Sequence, residues 1–518
     1  MRFVRGLTLF SLLVTSGCMM IGPDYETPPT PVADGWIGHT DGVIAPSAEP
    51  LGPWWESFGD PILTNLIVQA YEGNPTLQAA GVRVLEAQAR RGIAIGTIFP
   101  QTQNARGGYL RRVLSENAND SVGVPDRSFD QFMAGFDVAW ELDLWGGLRR
   151  GIESSDAELL AALADYDDVL VSLLASVATN YIGIRTAQEE LDVARSNAKL
   201  QRESLGIATR RSDEGAVTAV DPAQSATLMY NTEAQIPTFQ AVIDAQAATL
   251  STLLGVPPRR VEDLLGDGLH RIPTPSRQVA MGIPADLLRR RPDVRRAERL
   301  LAAQSAQIGV AKADLYPRLS LLGSIGVRAE DFSDMFKTPG SVSGFVGPSF
   351  SWDVLSYGRI EGNVQVQEAR FRQAVLGYQE AVLRAGREAE DAVVSFLKSQ
   401  ERARYLGDSV TAAARTVEIS YVQYQQGVID FTPVYLFEGT LAQEQDQLAL
   451  ARGQIALSLV DLYRALGGGW EMRLPAATAG PPPPRPATTR PAETGPSAAA
   501  AAAPTAAAGT RAPAFLTR

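Results

Sequence analysis

The chain has very little material from which to build a catalytic or metal centre. It carries one cysteine, Cys18, and two histidines, His39 and His270, in 518 residues. Tetrahedral metal sites, Ser-His-Asp triads and Cys-His dyads each need several such side chains together. Carboxylates are plentiful, but no pair of them stands in a recognisable pocket motif, so no enzyme and no cofactor is expected. Positive charge is also short: 47 Lys and Arg face 58 Asp and Glu, a net charge of −11. A chain without a basic excess offers no surface for a phosphate backbone, so nucleic acid is not an expected partner. The acidity itself fits either a well-solvated surface or an acidic lumen that attracts cations. The eight methionines are scattered and give no warrant for copper chemistry. What the chain does have is a 45% apolar fraction, enough for a substantial core.

The N-terminus sets the compartment. Arg2 and Arg5 precede an apolar run, Leu7 to Val14, far too short to span a bilayer as a helix. Residues 1–17 therefore read as a secretory signal. It ends in Thr15-Ser16-Gly17-Cys18, which resembles a bacterial lipobox with Thr15 where Leu is usual. Cys18 is the expected lipidation site. The residue after it is Met19 rather than Asp, which by resemblance to lipoprotein sorting signals implies export to the outer membrane. An acyl chain anchors a protein to a leaflet but makes no pore, so any spanning element must lie elsewhere. Residues 18–60, punctuated by Pro23, Pro28 and Pro29, are expected to run extended over a surface.

Four landmarks recur in the same order at a spacing of about 212 residues. Phe99-Pro100-Gln101 answers Tyr316-Pro317-Arg318, and Glu141 to Gly147 answers Ser351 to Gly358. Glu214-Gly215-Ala216-Val217 answers Gln426-Gly427-Val428-Ile429, and Leu253-Leu254-Gly255 answers Ala465-Leu466-Gly467. Two copies of one plan follow, 61–257 and 284–470, joined by a proline-rich linker, 258–283. Each copy opens with a helix, expected over Pro61 to Gly96 and over Pro284 to Ala313, that stops at its aromatic-proline landmark.

Period-two segments come next. Phe132, Phe136, Val138, Trp140 and Leu142 are apolar while Gln131, Gly135, Asp137 and Glu141 alternate with them. Val346, Pro348, Phe350, Trp352 and Val354 repeat the choice in the second copy. With partners at Thr102 to Arg112 and Leu319 to Arg328 they make two hairpins, each strand close to the ~9 to 11 residues a membrane strand needs. The connecting loops, Val113 to Ser128 and Ala329 to Gly344, read as long and polar, like the outward loops of a barrel. Four strands cannot close a barrel, since the smallest kind needs about eight, so the chain must oligomerise or not span.

Very long helical patterns follow each hairpin, about Gly147 to Ser212 and Gly358 to Gln425. Leu148, Ile152, Leu159, Leu163, Tyr166, Leu170, Val177, Tyr181, Ile184, Leu191 and Ala194 keep three-and-four spacing, as do Ile360, Val364, Phe371, Tyr378, Val382, Ala385, Ala389, Phe396 and Ala403. At 1.5 Å per residue such helices run about 100 Å. Gly215 and Gly427 mark the far turns, and return helices are expected over Pro222 to Leu254 and Pro433 to Leu466. Residues 471–518 are rich in Pro and Ala, with few large apolar side chains to bury, and read as disordered.

Cys18 followed by Gly22-Pro23-Asp24-Tyr25, together with Leu287-Leu288-Arg289-Arg290-Arg291-Pro292-Asp293, resembles the outer-membrane efflux lipoproteins that serve resistance-nodulation-division pumps. The resemblance implies a mainly α fold with membrane β structure: four strands per chain in a shared trimeric 12-stranded barrel, continuous with a periplasmic coiled-coil tunnel. It implies a homotrimer in outer-membrane lipid, partnered by a periplasmic membrane-fusion adaptor and an inner-membrane pump. It also implies a gate at the periplasmic tip, where Asp430, Phe431, Tyr435 and Glu438 are candidates and Asp221 a weaker one. Leu436 stands where the family pattern has Asp. On the residues alone, Asp430 capping the return helix and Tyr435 packing in the coil remain the simpler alternative. A type I secretion channel and a periplasmic coiled-coil scaffold are the competing functions.

Overall fold

The computed structural model describes residues 20–30, 44–46, 52–115, 128–266, 271–273, 279–281, 289–338 and 340–473. The signal segment, Cys18, both histidines and the tail beyond 473 lie outside the described residues. The chain divides into two units, 1–470 and 471–518, and the architecture is that of the first.

Strand β1 (Ile44–Pro46) precedes α1 (Pro61–Gly73), α2 (Pro75–Gly96), β2 (Thr102–Val113), β3 (Ser128–Leu142), α3 (Gly147–Asp213) and α4 (Val220–Leu253). After a short α5 (Val261–Leu265) and β4 (Val279–Met281), the order repeats as α6 (Pro292–Ala313), β5 (Arg318–Ala329), β6 (Val342–Ser351), α7 (Arg359–Gln425) and α8 (Phe431–Ala465). The linker thus holds structure of its own, and β4 pairs in parallel with β1. The other four strands form one antiparallel sheet in the order β2-β3-β5-β6.

Four expectations need correcting. The helix over 61–96 is two helices, because Asn74 is extended (φ −71°, ψ 119°) and Pro75 opens the next. The Asn74 side chain accepts from the Leu77 amide at 2.9 Å, an N-cap worth about 1 kcal/mol. In the second copy the same break falls at Arg291: Arg289 and Arg290 are helical, Arg291 is not, and Pro292 opens α6, while the expected start at Pro284 lies outside the described residues. Strand β6 ends at Ser351, which leaves Trp352 and Val354 outside the sheet. The connection after β5 is not a polar loop: it contains a short 3-10 turn, Phe332–Phe336, whose aromatic ends pack edge to face. Most of the loop after β2 lies outside the described residues.

Both long helices run 67 residues, about 100 Å at 1.5 Å per residue. The apolar seam of α3 holds from Leu170 to Ala194 but shifts nearer its start. There Ser154, Ala157, Ala161 and Ala164 are the buried residues, and Leu159 and Leu163 are only half-buried. Small side chains let α6 approach closely, as the Ala157, Ala302 and Ala303 cluster shows. In the same region the extended segment after Met20 is laid against helices. The Ile21 amide donates to Trp145 O at 3.0 Å, and buried Arg150 donates to Ile21 O, Gly22 O and Asp24 Oδ1. A side chain at Gly309 of α6 would meet Ile21 O at 2.8 Å, so glycine there seats the strap.

Each return helix ends on a glycine with positive φ, Gly255 (73°) and Gly467 (71°), in the same 6→1 hydrogen-bonded turn. These glycines abut the start of their own copy's helix. A Cβ at Gly255 would stand 2.1 Å from Gly73 O, and one at Gly467 3.1 Å from Arg291 Cα. Asn74 donates to Leu253 O at 2.9 Å, and Arg291 donates to Ala465 O at 2.7 Å. The end of the return helix therefore meets the residue before a helix-opening proline, Asn74 or Arg291, in each copy.

Candidate functional site

The register of the sheet sorts its side chains into two faces. Across the strands, Ala105, Phe136, Ile325 and Gly344 lie in one row, followed by Gln103, Val138, Gly323 and Val346 in the next. Then come Trp140, Leu321 and Pro348, and Leu142, Leu319 and Phe350. Neighbours in register point the same way, so this face is almost wholly apolar. Ile325, Val346 and Phe350 are 62%, 77% and 75% exposed, large apolar surface with no cover within the protomer. Rows on the opposite face read Asn104, Asp137, Ser324 and Phe345, then Thr102, Ala139, Leu322 and Gly347, then Glu141, Ser320 and Ser349. There Arg106 pairs with Asp137 at 3.0 Å.

Aromatic side chains bound the apolar face at both ends. Tyr109, Phe132 and Phe332 form a chain of ring contacts at 4.9 and 5.6 Å beside the β2-β3 and β5-β6 connections. At the helical end, Trp140 donates to Ile98 O at 2.8 Å and Trp352 to Leu315 O at 3.0 Å, two indoles that reach the matching carbonyl before each copy's aromatic-proline landmark. An apolar band between aromatic girdles is the outer surface of a membrane barrel. No helix among the described residues is long and apolar enough to cross a membrane, so the strands are the spanning candidates.

The far end of the long helices is the second feature. Gly215 and Gly427 (φ 73° and 72°) close the two turns with the same hydrogen bonds, Ala216 N to Arg211 O and Val428 N to Gln423 O. Tyr424 joins the copies there. It packs edge to face on Phe431 at 5.2 Å and lies under the Arg211 guanidinium at 4.6 Å. Arg211 also donates to Tyr424 O, and the Tyr424 hydroxyl donates to Asp221 at 3.2 Å. Burial and the Asp221 carboxylate push that phenol up to about 12, so it stays a donor at any physiological pH.

The sequence-derived gate candidates occupy different settings. Asp430 is exposed at the N-cap position of α8 and makes no side-chain cap bond. Phe431 is fully buried with Tyr424 and Val434, and Tyr435 packs half-buried against that cluster. Glu438 is 2% exposed, facing α3, where it accepts from the Ser204 hydroxyl at 2.5 Å. Asp221 is half-buried under Tyr424. Sequence reasoning passed over Tyr424, Arg211 and Ser204. Basic residues in the last turn of α3 were a visible signal, but which helix lies across from them is a tertiary fact.

Comparison with known proteins bears on both features. The model of the outer membrane efflux protein family matches twice, over residues 66–256 and 283–468. The chain belongs to the outer membrane efflux protein family. It is 30% identical to the pyoverdine export outer membrane protein OpmQ of Pseudomonas putida, across 92% of this chain and all of that one. It is also 30% identical to nodulation protein T of Rhizobium leguminosarum bv. trifolii, across 93% of this chain and all of that one. Among solved structures it resembles the outer-membrane channel OprN with a TM-score of 0.82 at 32% identity, over 87% of this chain and all of that one. This family member is an outer-membrane efflux channel, and the two-faced sheet is the part of it that meets lipid.

Proposed function

We propose that three copies of the chain close one twelve-stranded barrel and form the passive exit duct of a tripartite efflux pump. The observation that carries this is the register: it places every large apolar strand residue but a few on one face, and both sheet edges, β2 and β6, lack a partner strand among the described residues. A free edge and an uncovered apolar face are liabilities that closure with further copies removes. Four strands are too few to curve into a barrel, and three sheets make twelve. Exposed Leu376, Leu383, Val394 and Tyr405 on α7 supply helical surface for the same neighbours.

Nothing in the duct moves cargo by itself. The energy comes from an inner-membrane pump of the resistance-nodulation-division type, reached through a periplasmic adaptor, and no reaction is catalysed by this chain. Relatives are named for pyoverdine export and for toluene efflux, so the fold does not dictate one cargo. Lipid on Cys18 adds an anchor to a barrel that already spans. The gate is the helical tip, where Tyr424, Arg211 and Asp221 hold the second copy's hairpin to the first, and Phe431 and Tyr435 brace it from within. The exposure of Asp430 at the turn supports it as the carboxylate that would meet its threefold mates.

A paired substitution tests the duct. Ile325→Lys puts a charge on the lipid face in mid-strand, costing about 2 to 4 kcal/mol per copy. It should abolish insertion and conductance in planar bilayers. Ser324→Lys, one residue away on the water face, should insert and only change conductance. Equal behaviour of the two variants would overturn the assignment of faces.

A further inference from the structure

The seam between α3 and α8 is where one copy's helical pair meets the other's, and beside the Arg452–Glu189 ion pair at 2.8 Å it holds, at two levels, acids that no described cation neutralises. Near the tip, Glu438 of α8 is buried with one hydrogen bond, from Ser204, and its Oε2 has no hydrogen-bond partner. The groups facing it are Ser204 on α3 and Tyr421 on α7, and no cation among the described residues neutralises it. Higher up, the carboxyl groups of Glu190 on α3 and Asp446 on α8 are hydrogen-bonded to one another at the wall of a cavity of about 300 Å³. From α4 that cavity is lined by Asn231, Thr232 and Gln235, none of them charged; Glu189, next to Glu190 on α3, adds negative charge beside it, its own carboxylate paired with Arg452 of α8 at 2.8 Å across the seam. Two carboxyl groups in hydrogen-bond contact must share a proton, and a buried carboxyl without a cation is stable only when neutral.

We propose that the α3–α8 seam is a proton-dependent closure: Glu438 and the Glu190–Asp446 pair hold protons while the helical pairs are packed and release them when the seam parts. Burial pushes Glu438 up to about 7, and burial with the neighbouring Asp446 does the same for Glu190. Once the seam opens to water, both return toward the ordinary glutamate value of about 4.3. The closed state then binds more protons than the open one between roughly pH 4 and 7. Its advantage is full at the acid end, where the acids are neutral in both states. It falls as pH rises, and is lost above about 7, where packing would require buried charges.

This inference rests on the reading of the chain as a gated duct, and its test separates the two. Open probability of the purified, reconstituted channel is recorded from pH 5.5 to 8 for the native chain and for the Glu190→Gln, Glu438→Gln double variant. Glutamine keeps the shape of the protonated acid, so the variant packs the seam without a titrating group. The native channel should open more as pH rises, by up to about tenfold per pH unit for each proton released. The variant should stay low and flat. Infrared spectra at pH 6 should show protonated carboxyl bands in the native protein that the variant lacks. A variant that keeps the native pH profile, a flat native profile with normal conductance, or absent bands would overturn the proton-dependent closure alone. A native protein that passes no current at any pH would overturn the duct reading and the closure with it.

Discussion

The two copies tie the end of their return helix to the start of the helix that leads into the sheet, α2 or α6, in the same place and with different chemistry. In the first copy a neutral amide does it: Asn74 donates to Leu253 O and caps α2. In the second, Arg291 takes the same position before proline. It donates to Ala465 O at 2.7 Å, to Asp293 at 2.8 Å and to Glu388 of α7 at 2.7 Å. Burial pushes the Asp293 carboxyl up, and the Arg291 guanidinium outweighs it, leaving the group below its usual value. The repeat thus conserves a geometric rule, glycine against proline at a helix junction. The second copy adds an ionic tie to its long helix. That helix needs one more than its counterpart: α3 is packed on several sides along its middle, whereas α7 leaves large apolar residues such as Leu376 and Leu383 uncovered.

Removing the charged tie should have the largest effect. Arg291→Ala leaves Asp293 buried without its partner and should cost about 4 kcal/mol in thermal or denaturant unfolding of the purified protein. Gly255→Ala comes next, at about 3 kcal/mol, because strain at positive φ adds to a clash with the Gly73 carbonyl that neither backbone can relieve. Asn74→Ala should cost about 2 kcal/mol, the sum of a lost cap and an orphaned carbonyl. Gly467→Ala, whose nearest neighbours leave more room, should cost about 1 kcal/mol, mostly the φ strain. If Asn74→Ala proved as damaging as Arg291→Ala, the ionic tie would add nothing and the two junctions would be energetically equivalent.

Much of this fold was legible in the chain because its signals are long and repeated. Period-two alternation placed three strands within a few residues, and the glycines at 215 and 427 fixed the tips. What the alternation could not give was where β6 begins and ends, since Trp352 and Val354 continue the pattern after the ladder has stopped. A local motif, Asn74-Pro75, broke a helix that hydrophobic spacing alone ran straight through. The Arg291-Pro292-Asp293 string was visible as a signature, but its purpose needed the end of α8, which lies across the fold. At the tip the same limit applies. Glu438 is one acidic letter in a helix, and only the packing of α3 against α8 turns it from a surface charge into a buried acid.

The central claim is that the sheet's apolar face and open edges are completed by other copies of the chain. The mass of the detergent-solubilised protein, measured with bound detergent subtracted, tests it most directly. The account predicts three chains per particle. A particle of one chain, with its apolar face covered only by detergent, would contradict it.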